Sequence, residues 1–159
     1  MLFKSPKKII GIMGATGKQG GATVRAFNVL KESGNNEYQL RAITRDPSSD
    51  RAQAITSLVD EVVKADAKDV DSLVEAFKGC YGVYIVSNFW EDMNVVNEMT
   101  CLRNCKEALK QVKDVKHIVV SSFEDTRDFV ANAANKDTWK YPEHGIEVQM
   151  YAPHSDGKV

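Results

Sequence analysis

Five short apolar runs recur along the chain, each closed by turn residues and separated from the next by a stretch with helical spacing. They are "KKIIGIMG" (7–14), "YQLRAITR" (38–45), "VDEVVKAD" (59–66), "YGVYIVSNF" (81–89) and "VKHIVVSSF" (115–123). Strands joined through helices lie parallel, because a parallel pair needs a long crossover. Nearly continuous apolar strands suit a sheet covered on both faces. The expected fold is an α/β, doubly wound parallel sheet of Rossmann-like type.

Between the strands, residues 18–33 place Val24, Phe27 and Leu30 on one helical face and stop at Gly34. A short helix is expected over 48–58 and a long one over 92–112. Residues 69–78 turn Val70, Leu73, Val74 and Phe77 inward and stop at Gly79. The chain divides into a dinucleotide-binding core over 1–123 and an irregular extension over 124–159. In the extension the pattern weakens to a helical stretch at 126–136 and one short strand at 146–151.

The first strand runs into "GATGKQGG", where Gly14, Gly17 and Gly20 fall at every third position before a helix. Glycine there lets backbone approach a phosphate, and a helix N-terminus offers unpaired N–H groups and a positive dipole end. Alone the spacing is weak; directly between strand and helix near the N-terminus it is much more specific. The alternative is a tight turn that packs the helix and holds nothing. A Walker A loop does not fit, because Lys18 is followed by Gln19 and the glycine spacing differs.

The end of the second strand discriminates between dinucleotides. An acidic residue there would accept from a ribose 2′-OH and repel a 2′-phosphate; this chain has Thr44 and Arg45. A guanidinium pairs with phosphate, so NADP(H) is favoured over NAD(H). The alternative for Arg45 is a solvated side chain beside Asp46. Asp66, with neighbouring Ala67, is placed to meet the adenine edge or to cap the following helix. Ser87 and Asn88 fall beside the ribose or pyrophosphate, and Ser121 and Ser122 beside the nicotinamide. Each is equally readable as a strand-end hydrogen-bonding residue.

At these residues the chain resembles the NmrA-like family of atypical short-chain dehydrogenase/reductases. The matching pieces, in order, are "GIMGATGKQGG", "RAITRDP", "VVKADAKDVDSLVEAFKGCYGVYIVSNFWED" and "VKHIVVSSFED". "VSNFWE" and the closing "PHSDGK" are most similar to the animal redox-sensor branch, where strings such as "TNYWE" and "HFDGK" occur. The resemblance covers about 8–123 and recurs at 153–158. It implies NADP(H) binding through Gly14, Thr16, Gly17, Gln19, Gly20, Arg45, Asp66 and Ser87, with Lys18 in the same loop. It also implies either reductase activity or an NADP-responsive regulator acting through protein partners. Family domains continue past the "DGK" string into further strands and a substrate-covering part. This chain is therefore expected to be a truncated member that lacks most of the substrate-binding lobe.

Hydride transfer in related enzymes uses a tyrosine with a lysine four residues on, the lysine lowering the phenol pKa. Tyr38, Tyr81, Tyr84, Tyr141 and Tyr151 are followed at that distance by Ala42, Ile85, Asn88, Gly145 and Ser155, so the pair is missing. Lys158 falls where the family's "DGK" lysine lies and is the single catalytic candidate; its alternative is a terminal residue without a role. Three functions compete: an NADP(H)-binding sensor, an NAD(P)H-dependent reductase of small carbonyls or quinones, and a non-binding interaction module.

Composition narrows the partners. The formal net charge is −1, without a block of five like charges, which argues against direct binding to nucleic acid or to an anionic membrane. The apolar runs are too short to span a bilayer, and "MLFKSPKK" lacks a signal-peptide core. Cys80, Cys101 and Cys105 form neither a CxxC pair nor a metal set, so reduced structural thiols are expected. The expected compartment is the cytoplasm, with the nucleus second. A sheet cut short would expose an edge, which favours a regulatory protein partner or a homo-oligomer.

Overall fold

The computed structural model describes residues 6–122. Five strands form one parallel sheet: β1 (Lys8–Met13), β2 (Tyr38–Thr44), β3 (Glu61–Lys64), β4 (Cys80–Val86) and β5 (His117–Ser121). Their spatial order is β3-β2-β1-β4-β5, so the chain reverses direction across the sheet between β1 and β4. β1 runs in register with β2 from Lys8 opposite Tyr38 to Met13 opposite Ile43. The doubly wound architecture read from the strand–helix alternation is the observed one.

Two apolar layers follow from the strand period. Ile12 on β1, Leu40 and Ala42 on β2 and Val24 on α1 (Lys18–Glu32) fill one face. On the other face Met13, Ile43, Val83 and Ile85 meet α3 (Val70–Phe77) and α5 (Val95–Gln111) through Leu73, Phe77, Cys105 and Ala108. Helix α1 buries Gly20, Gly21 and Val24. Leu30, expected on the same face, is 43% exposed. Six residues beyond Val24 it has rotated some 120° round the helix, out of the apolar stripe. α1 ends in a Schellman motif: Gly34 at φ +94 lets Asn35 N–H reach Leu30 O at 3.0 Å and Gly34 N–H reach Lys31 O at 3.0 Å.

Two expected helices differ in their bounds, and in each a capping residue sets the start. Over 48–58, Ser49 caps α2 (Asp50–Gln53), accepting from Ala52 N–H, and a separate 3-10 turn spans Thr56–Leu58. The long helix expected over 92–112 is α5, which starts at Val95; a separate short helix, α4 (Phe89–Asp92), precedes it. Met93 between them sits at φ 47, and Asn94 caps α5 by accepting from Asn97 N–H. The expectations over 124–159, including the helix at 126–136 and the strand at 146–151, lie outside the described residues. β5 is one edge of the described sheet, and its Ile118, Val119 and Val120 are exposed.

Cys80 and Cys105 are buried free thiols. Burial raises both above the ordinary value of 9.0, Cys105 to about 12. Folding thus favours the neutral thiol of Cys105, a contribution present below pH 9 and lost as pH climbs from there towards 12. At pH 8 both residues should alkylate at least about a hundredfold more slowly in the native chain than in urea. Mass spectrometry after iodoacetamide treatment measures this; equal native and denatured rates would contradict it.

Candidate dinucleotide site

The C-terminal ends of the parallel strands gather the candidate residues along one rim of the sheet. Gly14, Thr16 and Gly17 lie in the β1–α1 connection, Lys18, Gln19 and Gly20 open α1, and Thr44 ends β2 with Arg45 following it. Asp66 and Ala67 follow β3, Ser87 and Asn88 follow β4, and Ser121 ends β5. Lys158 lies outside the described residues.

The loop is built by close backbone approach. Gly14 adopts φ +63, and its carbonyl accepts from Gly17 N–H at 2.8 Å. Gly20 packs on the same carbonyl: a Cβ there would lie 2.3 Å from Gly14 O. α1 begins at Gly17 without a side-chain cap and without an acidic residue in its first turn. Gly17, Lys18 and Gln19 are exposed. The positive helix end is therefore presented to solvent, which suits an anionic phosphate. Residues of this kind, with room for backbone contact, fit a pyrophosphate.

Gln19 ties this mouth to the neighbouring strands. Its Oε1 accepts from Tyr84 Oη at 3.1 Å and from Ser121 Oγ at 2.6 Å, leaving the amide nitrogen as the donor. Ser87 Oγ donates to Glu98 Oε1 at 2.5 Å, fixing the end of β4 to α5 and leaving Ser87 an acceptor towards a ligand. Asp66 accepts from Lys68 N–H at 2.9 Å, so it orders the turn before α3. The N-cap of α3 is Asp69, which accepts from Asp71 and Ser72 N–H groups. Ala67 O accepts from Asn104 Nδ2 at 3.0 Å, anchoring that turn to α5.

Arg45 is placed as expected, at the end of β2, and is largely exposed, but its ion-pair partner is Glu91 rather than the adjacent Asp46. Nη2 donates to Glu91 Oε1 at 2.8 Å, and Asn88 Nδ2 donates to the other carboxylate oxygen at 2.8 Å. The Glu91 hydrogen bond raises the Arg45 pKa, burial opposes it, and the charges of Glu91 and Asp66 add to the rise. Glu91, Glu98 and Tyr84 are the site residues that sequence reasoning missed. Only the i, i+3 spacing of Asn88 and Glu91 gave a signal.

A groove of roughly 420 Å³ between α5 and β5 is lined by Ile85, Leu102, Cys105, Ile118 and Val120. It lies on the sheet face rather than at the helix mouth and is separate from this rim. Among the described residues, no helix is long and apolar enough to cross a membrane.

Known proteins share this fold. The chain is 37% identical over 133 residues to an NmrA-like family domain-containing oxidoreductase, notA', of Aspergillus versicolor, covering 80% of this chain and 36% of that protein. The structure of NmrA, a negative transcriptional regulator in complex with NAD, superposes with a TM-score of 0.69 at 17% identity, over 96% of this chain and 41% of that one. The NADPH-dependent quinone oxidoreductase QOR2 of Escherichia coli, complexed with NADPH, superposes with a TM-score of 0.62 at 26% identity, over 93% and 42%. The chain thus spans about two fifths of the length of these proteins. The model of the NmrA-like family matches residues 6–148, and the chain belongs to the NmrA-like family.

Proposed function

We propose that the chain binds NADP(H) along the rim and acts as a redox sensor or regulator through a protein partner. The observation that carries the binding is the uncapped N-terminus of α1 over the Gly14–Gly20 contact, with Arg45 at the neighbouring strand end. The glycine loop would hold the pyrophosphate, Arg45 the 2′-phosphate, and Ser87 a ribose hydroxyl. When bound, the nicotinamide supplies hydride chemistry. The sensor role is supported by the likeness to NmrA, a negative transcriptional regulator. NmrA itself has been solved with NAD and with NADP.

The second reading is an NADPH-dependent reductase, favoured by the oxidoreductase names of the relatives and by QOR2. Titration calorimetry with NADPH and NADH tests the binding, and NADPH oxidation with a quinone and carbonyl panel tests the reductase. Oxidation lost in Lys158→Ala would favour turnover over sensing; binding of neither dinucleotide would sink both readings and leave an interaction module. Arg45→Ala should weaken NADPH about tenfold or more and NADH less than about twofold, since a charge-assisted phosphate contact contributes about 1.5–3 kcal/mol. Equal losses would refute the role of Arg45.

A further inference from the structure

Glu91 reaches Arg45 from the far side of the strand reversal, 46 residues away in sequence. It is delivered by α4, which follows β4 and is seated by Phe89, 8% exposed. Both carboxylate oxygens are used: one on Arg45 Nη2, one on Asn88 Nδ2. The arrangement is that of an acidic group on a guanidinium, the same chemistry a 2′-phosphate would bring. A phosphate arriving at Arg45 must either displace this carboxylate or sit beside it, with the charge of Asp66 also nearby. A ribose 2′-hydroxyl meets the opposite situation, because a carboxylate is the acceptor it needs.

We propose that Glu91 is a specificity-determining residue of the dinucleotide site, competing with a 2′-phosphate for Arg45 and accepting from a 2′-hydroxyl in its place. This rests on the dinucleotide reading above. Arg45 makes the site able to take NADP(H), while Glu91 keeps NAD(H) within reach. The acidic residue that other sites carry at the end of the second strand is here supplied from the end of the fourth. Because the Arg45 and Glu91 side chains are 60% and 46% exposed, solvent screens the pair and the effect is moderate.

The test is titration calorimetry of NADP⁺ and NAD⁺ on the full chain and on Glu91→Gln, which keeps the shape and removes the charge. The expected result is an NADP⁺ Kd lowered about fivefold, with the NAD⁺ Kd unchanged or raised. In an Arg45→Ala background the same substitution should move the NADP⁺/NAD⁺ ratio less than it does in the parent, since competition for the guanidinium is gone and only the 2′-hydroxyl contact remains. Circular dichroism melts confirm that each variant is folded. An unchanged ratio in Glu91→Gln, or a shift towards NAD⁺, would overturn the role of Glu91 while leaving dinucleotide binding intact. If the unsubstituted chain binds neither dinucleotide, the site reading fails and this inference falls with it.

Discussion

A Gly20→Ala chain is expected to bind NADP⁺ at least about a hundredfold more weakly and to lose about 1–3 kcal/mol of stability. The added Cβ would stand 2.3 Å from Gly14 O, 2.6 Å from Gly14 C and 2.8 Å from Ala15 N. All three are backbone atoms, so no side chain can turn aside. Relief requires α1 to back away from β1, and that movement has two costs. The Gly14 carbonyl also accepts Gly17 N–H at 2.8 Å, so the turn opens as the helix retreats. The N–H groups of the first turn, which would face the pyrophosphate, move with it. An oriented phosphate site is sensitive to such a shift, so the affinity falls together with the stability. Gly21→Ala is the control: its Cβ would meet Ala15 O at 3.3 Å and Arg25 Nη1 at 3.4 Å, and alanine's helix preference offsets that crowding. Urea unfolding followed by circular dichroism, with calorimetry of NADP⁺, measures both effects. A Gly20→Ala chain with the midpoint and Kd of the parent would show that the glycine is a packing choice alone.

The loop was legible in the sequence because its determinants are local. Gly14, Gly17 and Gly20 are spaced three apart, and Gly17 and Gly20 both answer to the Gly14 carbonyl, within six residues. The strands were legible for the same reason, since Ile12, Leu40 and Ala42 report a covered sheet through their own runs. The partner of Arg45 was not legible. Glu91 meets it only because β1 separates β2 from β4 in space, a consequence of strand order rather than of any nearby residue. The start of the long helix falls three residues later than expected, although Asn94 is a good N-cap residue. Leu30 misled because a three-residue step drifts round the helix, and three such apolar residues overstate the buried stripe.

Arg41 gives the largest expected loss of stability, and its role comes from the same strand that carries Arg45. It sits mid-strand in β2 with its side chain only 12% exposed. Nε donates to Glu61 Oε1 at 2.6 Å, while Nη1 donates to Ala76 O at 2.8 Å and Lys78 O at 2.7 Å. Those carbonyls close the end of α3, whose dipole there is negative. One guanidinium therefore joins β2, β3 and the C-terminus of α3. Arg41→Met keeps an apolar stem of similar length and leaves the two carbonyls without their charged donor, so it should cost about 3 kcal/mol in urea unfolding. Arg41→Lys offers a single ammonium in place of the planar fork and should recover less than half of that. Glu61 is 42% exposed and rehydrates when its partner is lost, so Glu61→Gln should cost no more than about 1 kcal/mol. The difference between the two substitutions assigns the stabilisation to helix capping rather than to the ion pair. Folded Arg41→Met should still bind NADP⁺ within about twofold of the parent, because the rim lies beyond the residues Arg41 touches. A loss under 1 kcal/mol in Arg41→Met, or a Glu61→Gln loss of equal size, would contradict this assignment and make the Arg41–Glu61 pair the dominant contact.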